Sequence, residues 1–178
     1  MNIIECPETG EKSDHFDPQG MFPLCLPEHT DDNKLTLEKC FQYYTRHSVL
    51  DGDNAWMSEK LNKKCKAYRY TRFWKLPKYL ILILKRFDMN GQKRNDDIEF
   101  PEYFDMEEYT IVNEEKTNYR LYSVINHFGN VFGGHYIAHC RNNEQWRKFD
   151  DMNVNDVDIS NVLNQTKSAY VLFYELCD

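Results

Sequence analysis

The sequence predicts an α+β fold in which a predominantly antiparallel sheet is accompanied by a few short helices. Three observations support this prediction. Runs of aromatic and β-branched residues fill the last two thirds of the chain, short links containing Gly and Asn separate them, and one segment has the spacing of a longer amphipathic helix. The short links imply antiparallel neighbours, because parallel strands need a crossover of about a dozen residues or more.

The N-terminal segment, 1–27, is rich in Pro and Gly and has few apolar residues, which predicts short extended pieces joined by turns. A helix is expected over 36–47, with Thr36 as its cap. The apolar residues of one face follow the i, i+3, i+4, i+7 spacing: Leu37, Cys40, Phe41 and Tyr44. We therefore expect Cys40 to pack in a core.

After Gly52 the pattern changes to that of strands. Residues 66–74 are aromatic and β-branched with basic side chains between them, and 79–87 begins with a continuous apolar run that is typical of a central strand. Asn90-Gly91 is a strong hairpin signal, because both residue types tolerate the positive φ of a two-residue turn. We expect a hairpin there that reverses the chain into 92–99.

Three further strands are expected after this hairpin, and their links are too short for parallel crossovers. The strands are expected over 119–127, 135–140 and 145–149. The links between them contain Gly129-Asn130, Gly133-Gly134 and Asn142-Asn143. A short helix near 160–163 and a final strand over 169–175 complete the chain. The C-terminal two thirds should therefore form one multi-stranded antiparallel sheet.

Composition limits the classes of partner. With 178 residues and 41% hydrophobic content, the chain is long enough for one packed domain, on a prior of roughly 100 to 200 residues per domain. The formal net charge of -7 argues against nucleic acid, because phosphate binding needs clustered Lys and Arg. The longest apolar run, 79–84, is too short for a bilayer, which needs about 20 residues. We expect neither nucleic acid nor a membrane as a partner.

The six cysteines are scattered, without the dense even spacing of a small secreted scaffold: Cys6, Cys25, Cys40, Cys65, Cys140 and Cys177. No basic and apolar leader opens the sequence. Both features favour reduced thiols in an intracellular protein of the cytoplasm or nucleus.

Acidic residues concentrate between positions 96 and 108, and two interpretations fit them. They could steer a basic protein partner through their long-range field. They could also form an ordinary solvated surface, which is the commoner role of a charge run. The residues are Asp96, Asp97, Glu99, Glu102, Asp105, Glu107 and Glu108.

The clearest chemical pattern lies in 132–139, followed at short range by 146–151. In the predicted hairpin His135 begins one strand and Asp150 ends the next, so the two side chains should meet at one end of the sheet. A carboxylate that holds one ring nitrogen of a histidine fixes its tautomer and stabilises the imidazolium, which suits a general base. A lone histidine at a strand start is usually structural, and an Asp-Asp pair alone would usually mark a turn.

No cysteine near this pair in sequence completes it as a nucleophile. Cys140 lies five residues beyond His135, and an odd offset along a strand places the two side chains on opposite faces. A reactive thiolate needs a helix N-terminus or a cationic neighbour, and none of the six cysteines shows that context in the sequence.

Five ordered blocks of the sequence resemble the C-terminal half of the ubiquitin-specific protease domain. They are Leu76 to Phe87, Tyr119 to His127, Gly133-Gly134-His135-Tyr136, Trp146 with Phe149-Asp150-Asp151, and Ala169 to Tyr174. The resemblance implies a papain-like fold with an antiparallel β palm, β fingers and a few short helices, the thumb being absent from these residues. It divides the chain into fingers, about 1–70, and palm, about 71–178. The implied activity is that of a cysteine isopeptidase that cleaves after the C-terminal glycine of ubiquitin.

The resemblance also implies roles for single residues. His135 would be the general base, Asp150 would orient it, and Asp151 matches an acidic position that assists the oxyanion in some members. Ubiquitin or a ubiquitinated protein would be the partner. The positions that line the channel for its tail, including the loop that lets the narrow tail pass, match His127, Phe87, Tyr136, Gly133 and Gly134.

One departure from the family pattern concerns the nucleophile. In the family it lies in a Gly-Asn-Thr-Cys segment that opens a helix of the first subdomain, and no such segment occurs in this sequence. We expect these residues to need that N-terminal Cys-box segment as a partner and to be inactive alone, because His135 has no thiol to deprotonate.

A second departure concerns the fingers, where many relatives hold zinc between two Cys-x-x-Cys pairs. The matching positions here read Cys6-Pro7-Glu8-Thr9 and Met57-Ser58-Glu59-Lys60, so one thiolate of four remains. A structural zinc site needs four ligands, and we therefore expect no metal and no other cofactor. Cys6, Cys65 and His15 remain an alternative ligand set, although their spacing fits no structural zinc pattern.

Three interpretations of function stay open. In the first, these residues carry the base, its orienter and much of the ubiquitin contact surface of a cysteine-type deubiquitinase. In the second, the chain is a catalytically inactive pseudo-enzyme that binds ubiquitin, although binding alone requires neither His135 nor Asp150. In the third, it is a structural interaction domain without affinity for ubiquitin.

Overall fold

A computed structural model describes residues 1–28, 34–112 and 116–178, and it has the α+β class that the sequence predicts. Two short helices accompany the strands, α1 (Leu37–Thr45) and α2 (Ile159–Leu163). The strands are β1 (Asn2–Glu5), β2 (Lys12–His15), β3 (Phe22–Cys25), β4 (Leu35–Thr36), β5 (Ser48–Leu50), β6 (Trp56–Ser58), β7 (Lys63–Cys65), β8 (Ala67–Thr71), β9 (Tyr79–Lys85), β10 (Ile98–Glu99), β11 (Tyr103–Asp105), β12 (Asn118–Asn130), β13 (Gly133–Asn142), β14 (Gln145–Asp150), β15 (Asn153–Val157) and β16 (Ala169–Leu176).

The larger sheet, called the large sheet below, has the strand order β15-β14-β13-β12-β16-β9-β3, and β11 pairs with β12 beside this path. All its pairs are antiparallel except β3 with β9. Two-residue turns join β12 to β13, β13 to β14, and β14 to β15, as the pairs Asn130 with Gly133, Asn142 with Gln145, and Asp150 with Asn153 show. The antiparallel prediction is confirmed for 118–176, but the C-terminal two thirds do not form one sheet, because the strand predicted over 66–74 lies in another sheet as β8.

A second sheet, called the small sheet, has the antiparallel order β2-β1-β8-β5. Beside it, β6 and β7 form a short antiparallel hairpin. The division of the chain near residue 70 stays a prediction. Within 1–70, however, β3 pairs with β9 of the large sheet and α1 contributes to the main core.

Helix α1 joins the main core through the face that the spacing predicts. Leu37, Cys40 and Phe41 are fully buried, and the Phe41 ring stacks on Phe104 with centroids 5.0 Å apart. Burying one such side chain contributes about 1.5–3 kcal/mol. The Thr36 hydroxyl accepts a hydrogen bond from Lys39 N, at 3.3 Å, as a helix cap does. The helix ends at residue 45, two residues earlier than predicted.

The hairpin expected at Asn90-Gly91 is only partly formed. The chain reverses there, with Gly91 at φ +76° and one bridge between Phe87 and Lys93, but 92–99 does not form a strand beside β9. Only Ile98–Glu99 is a strand, and it runs parallel to β4. The reason is a side chain, because the buried Arg86 guanidinium donates to the carbonyls of this segment.

Strand β15 is absent from the sequence-based prediction. Its residues read Asn-Val-Asn-Asp-Val, and four of the five are exposed, so the run lacks the apolar alternation that marks a strand. The two-residue turn at Asp151-Met152 and pairing with β14 determine its conformation instead. No helix in the described ranges is long and apolar enough to cross a bilayer.

Candidate active site

The β13–β14 hairpin brings His135 and Asp150 together. The register runs from Asn142 with Gln145 beside the turn to Ala138 with Phe149, so the start of β13 lies beside the end of β14 at the open end of the hairpin. His135 Nε2 and Asp150 Oδ1 are 2.6 Å apart. This is the juxtaposition that the sequence pattern predicts.

Lys148 holds the second oxygen of the same carboxylate. It lies two residues before Asp150 on β14 and therefore on the same face of the strand. Its Nζ is 2.8 Å from Asp150 Oδ2. The pKa of Asp150 lies below its usual value because of the bonds from Lys148 and, second, from His135. Sequence reasoning missed Lys148, although a basic residue two positions from a carboxylate on one strand was an available signal.

The second ring nitrogen of His135, Nδ1, is available to accept a proton. The described residues give His135 one hydrogen-bond partner, Asp150, and its side chain is half exposed. Because Asp150 is ionised, Nε2 carries the proton of the neutral ring, and the Nδ1 lone pair can accept one. This arrangement can take a proton from a group that approaches Nδ1.

Asp151 lies beside this pair in the turn between β14 and β15. Its φ is +51°, a left-handed conformation that Asp tolerates better than most residues. Ligand atoms of His135, Asp150 and Asp151 lie within 4.8 Å of one another, the single set of this kind within 1–28, 34–112 and 116–178. Both Asp150 oxygens are already bonded, to His135 and Lys148, so these donors do not fit a metal ion.

The predicted tail-channel residues meet in an aromatic group on the opposite face of the strands. His127 is paired with Tyr136 across β12 and β13, with ring centroids 4.6 Å apart. The ring centroid of Phe87 lies 5.7 Å from that of His127. Tyr170 completes the group at 5.8 Å from His127 and 6.2 Å from Phe87, and sequence reasoning missed it. Its position near the start of β16 became recognisable only from the strand pairing.

His127 is a buried neutral histidine in this group. Only 3% of it is exposed, and its Nδ1 has no hydrogen-bond partner among the described residues. Burial, and second the charge of Lys93, lower the pKa of His127. Lys93 donates its ammonium hydrogen to the His127 carbonyl, at 2.5 Å. The side chain therefore presents an uncharged polar edge inside an otherwise aromatic wall.

The two glycines before His135 differ in what surrounds them. A Cβ on Gly134 would collide with the His127 ring and the Phe128 carbonyl. A Cβ on Gly133 would meet nothing within 4 Å. The close approach of strands β12 and β13 therefore requires glycine at 134, whereas the protein itself leaves the space above Gly133 open.

A buried polar chain begins at His139, four residues beyond His135 on β13, and the sequence did not predict it. His139 Nδ1 and Asn126 Oδ1 are 2.9 Å apart, and the Asn126 amide donates to Ser168 Oγ at 3.0 Å. All three residues are buried. Burial, and second Lys148, lower the pKa of His139. The chain ties β12 and β13 to the start of β16.

The cysteines and the fingers positions do not form the sites that were weighed. Cys140 contacts Ser123 Oγ at 3.1 Å, on the strand face away from His135. In the small-sheet region Ser58 is buried and donates to Glu11 at 2.6 Å, while Cys6 Sγ lies 3.2 Å from Cys65 Sγ. His15 pairs with Asn2, at the far end of β1 from Cys6. These residues do not supply the four ligands of a structural zinc site.

The acidic run of 96–108 is divided among separate ion pairs. Four of its members have a basic partner, as Asp96 with Arg94, Asp97 with Lys167, Glu99 with Lys34, and Glu102 with Arg120. This pairing favours the interpretation as a solvated surface over that of a single steering field.

Fold and site together define the class. A mostly antiparallel sheet with a histidine and an aspartate bonded at one hairpin end has the architecture of papain-like ubiquitin-specific proteases. The chain matches the family described as Ubiquitin carboxyl-terminal hydrolase over residues 1–174, and it belongs to that family.

Individual relatives agree with this assignment. The chain is 33% identical over 180 residues to Ubiquitin carboxyl-terminal hydrolase Usp2 of Drosophila melanogaster, covering 98% of this chain and 19% of that protein. It is 38% identical over 156 residues to Ubiquitin carboxyl-terminal hydrolase 19 of Homo sapiens, covering 79% of this chain and 12% of that protein. This chain thus spans a fifth or less of the length of these two relatives.

Solved structures share the fold. A chain from the SAGA DUB module Ubp8/Sgf11/Sus1/Sgf73 bound to monoubiquitin superposes with a TM-score of 0.87 at 32% identity, covering 99% of this chain and 40% of that one. The same module bound to ubiquitin aldehyde gives a TM-score of 0.85 at 30% identity, with the same coverage.

Proposed function

We propose that this chain carries the general base and the ubiquitin-tail surface of a thiol-dependent deubiquitinase. The observation that carries the proposal is the 2.6 Å bond between His135 Nε2 and Asp150 Oδ1. It leaves Nδ1 as the proton acceptor. Family membership and the ubiquitin-bound structural neighbours support ubiquitin, or a ubiquitinated protein, as the substrate.

In this mechanism His135 Nδ1 takes the proton of a cysteine thiol, and Asp150 stabilises the resulting imidazolium. The thiolate attacks the carbonyl carbon of the C-terminal glycine of ubiquitin, and Asp151, which has a ligand atom within 4.8 Å of those of His135 and Asp150, would assist the oxyanion as its match in some family members does. His135 then protonates the leaving amine, which departs as the thioester forms. Water, deprotonated by His135, hydrolyses the thioester and regenerates the thiol.

The thiol of this proposal lies outside these 178 residues, in a Cys-box segment of the family type. Cys140, the nearest cysteine in sequence, contacts Ser123 instead of His135. Burial raises the pKa of Cys40 to about 12, which makes it inert. The surroundings of Cys140 and Cys40 therefore support a nucleophile that another segment brings to the Nδ1 side of His135.

The tail of ubiquitin would pass over Gly133 and Gly134 and along the aromatic group of Phe87, His127 and Tyr136. The open space above Gly133 supports this path, because a narrow Gly-Gly tail needs a backbone without side chains beside it. Six unpaired cysteines support a reducing intracellular compartment, the cytoplasm or the nucleus.

The test joins this chain to a family Cys-box segment and measures labelling by an active-site ubiquitin probe and cleavage of ubiquitin-aminomethylcoumarin. We expect turnover in the joined protein and none from the chain alone. His135→Ala should lower turnover by at least about 100-fold, the smaller end of what general acid–base catalysis supplies. His15→Ala, which changes an exposed histidine far from the site, should leave turnover unchanged.

Two outcomes would refute the proposal. One is turnover by the chain alone that disappears in His135→Ala, which would put the nucleophile inside these residues. The other is saturable ubiquitin binding by the joined protein without probe labelling, which would identify the pseudo-enzyme.

A further inference from the structure

Two thiols near the small sheet have no part in the proposed chemistry. Cys6 directly follows β1, and Cys65 ends β7. Their Sγ atoms are 3.2 Å apart. Both side chains are buried, with exposed fractions of 0% and 6%. By its resemblance to the family, Cys6 matches a position at which zinc-binding relatives hold a ligand, but the other three matching positions offer no thiolate here.

The backbone around both sulfur atoms is fixed. Cys6 N donates to Glu11 O, and Gly10 N donates to Cys6 O, both at 2.9 Å. Cys6 is therefore the first residue of a hydrogen-bonded turn. Cys65 pairs with Trp56 in the β6–β7 hairpin. The two turns are joined by the bond of Ser58 to Glu11. A disulfide bond is about 2.05 Å long, so the two Sγ atoms would have to approach each other by about 1.2 Å to form it.

The two thiols differ in acidity. The hydroxyl of Thr9 bonds the Cys6 sulfur and lowers the pKa of Cys6. The bond with Cys6 raises the pKa of Cys65 to about 11. Cys6 is therefore the thiol that ionises and reacts first, and Cys65 is the thiol that resolves the intermediate.

We propose that Cys6 and Cys65 form a reversible disulfide that clamps the two turns together in place of a metal. The oxidant is hydrogen peroxide or another small hydroperoxide. The Cys6 thiolate attacks one peroxide oxygen, which breaks the O–O bond and gives a sulfenic acid and hydroxide. The Cys65 thiolate then attacks the Cys6 sulfur and expels hydroxide. In total, two thiols and one peroxide give one disulfide and two waters, and a dithiol reductant reverses the reaction.

The clamp restrains a long part of the chain, because its two residues are 59 positions apart. A disulfide that closes a loop of this length reduces the entropy of the unfolded chain and should raise the thermal midpoint by on the order of 10 °C. The large sheet carries the main core, so the effect should be strongest on the hydrogen exchange of β1 and β6 to β8.

The experiment oxidises the 178-residue chain with stoichiometric hydrogen peroxide, blocks the remaining thiols, and maps disulfide-linked peptides by mass spectrometry. We expect the number of titratable thiols to fall from six to four, with Cys6 and Cys65 in one linked peptide pair. Dithiothreitol should restore all six. This mapping uses the unmodified chain and therefore depends on no variant.

Variants test the stability effect. Cys65→Ser should abolish both the linked peptides and the rise in thermal midpoint, and Cys65→Ala serves as a second variant without a hydroxyl. Cys25→Ser is the matched control, because Cys25 is exposed and its loss should leave the linkage intact. The proposal is overturned if peroxide modifies Cys25 fully before any link between Cys6 and Cys65 forms, or if the linked protein melts no higher than the reduced one.

Discussion

At the scale of the residue, the site is a chain of three side chains on one hairpin. His135 owes its place to strand register, and its ring orientation to Asp150. Asp150 in turn is held at its other oxygen by Lys148, at 2.8 Å. The pairing of His135 and Asp150 could be predicted, because Asn142-Asn143 marks the turn and fixes which strand ends meet. The ion pair of Lys148 had only a weaker signal, its place two residues from Asp150 on the same strand, and its formation also depends on side-chain rotamers.

Beyond the hairpin, the contacts of a residue could be predicted where they depend on its neighbours in sequence, and not where they depend on long-range strand pairing. Thr36 caps α1 through its own sequence neighbours, and the structure shows that bond. Tyr170 contacts His127 only because β16 inserts between β12 and β9, a long-range pairing that has no local signal. The buried chain of His139, Asn126 and Ser168 escaped prediction for the same reason.

Gly133 and Gly134 allow a paired prediction. Gly134→Ala should lower the free energy of unfolding by about 1–3 kcal/mol, because its Cβ would force apart His127 and the Phe128 carbonyl. Gly133→Ala should stay within about 0.5 kcal/mol of the wild type, because its Cβ meets open space. Urea unfolding of both variants measures the difference.

The same pair separates stability from function. In the protein joined to a Cys-box segment, Gly133→Ala should reduce kcat/KM for ubiquitin-aminomethylcoumarin while leaving the unfolding midpoint unchanged. Equal destabilisation by the two substitutions would contradict the steric argument. Wild-type kcat/KM in Gly133→Ala would contradict the path proposed for the tail.

At the scale of the element, hairpins with Gly or Asn turns were predictable and connections organised by a side chain were not. The strands predicted over 119–127 and 135–140 are both present, but each is longer than predicted. In the structure they span Asn118–Asn130 and Gly133–Asn142. The prediction that the chain reverses into a paired strand over 92–99 was wrong, because carbonyls of this segment accept hydrogen bonds from the Arg86 guanidinium rather than from a neighbouring strand. A buried arginine that replaces strand pairing leaves no periodic pattern in the sequence.

Arg86 is therefore the residue whose loss should matter most for this connection. It is fully buried and donates to the carbonyls of Ala169, Arg94, Asp96 and Thr166. Burial lowers the pKa of Arg86 to about 10, so it remains charged at neutral pH. Arg86→Met removes the guanidinium donors of these carbonyls in the interior, although Thr166 O still accepts from Ile98 N, and we expect a loss of at least about 3 kcal/mol in the free energy of unfolding.

Chemical denaturation at neutral pH measures this loss. Arg147→Met is the matched control, since Arg147 is exposed and makes one ion pair, with Asp156, which is worth about 0–1 kcal/mol. A loss for Arg86→Met no larger than that of the control would refute the organising role. Arg86→Lys should recover little, because one ammonium cannot reproduce the planar fork of donors.

At the scale of the whole molecule, stability is distributed unevenly. The main core runs from Leu24 to Tyr174 and draws its buried side chains from the large sheet, α1 and the segments between them. Around the small sheet the fully buried side chains are few, and they include Ile3, Cys6 and Ser58. That region therefore depends on polar and thiol contacts, such as those of Ser58 with Glu11 and of Cys6 with Cys65.

Buried histidines should make the stability of the whole molecule depend on pH. Burial lowers the pKa of both His127 and His139. Below about pH 6.5 the unfolded chain takes up protons at these positions while the folded chain does not. The free energy of unfolding is therefore fully present above about pH 6.5 and falls as the pH is lowered, by at most about 1.4 kcal/mol per pH unit for each histidine.

Urea unfolding at pH 7.5 and 5.5 tests this, because carboxylates with ordinary or lowered pKa values remain ionised throughout that window. The wild type should be less stable at pH 5.5. In His139→Gln the amide can still bond Asn126 but cannot ionise, so the difference between the two pH values should shrink by up to half. In His15→Gln, which alters an exposed edge strand, the difference should be unchanged. Equal stability of the wild type at both pH values would mean that water or local opening lets the buried rings ionise in the folded protein, and the two strands β12 and β13 would then be less tightly joined than their hydrogen bonds indicate.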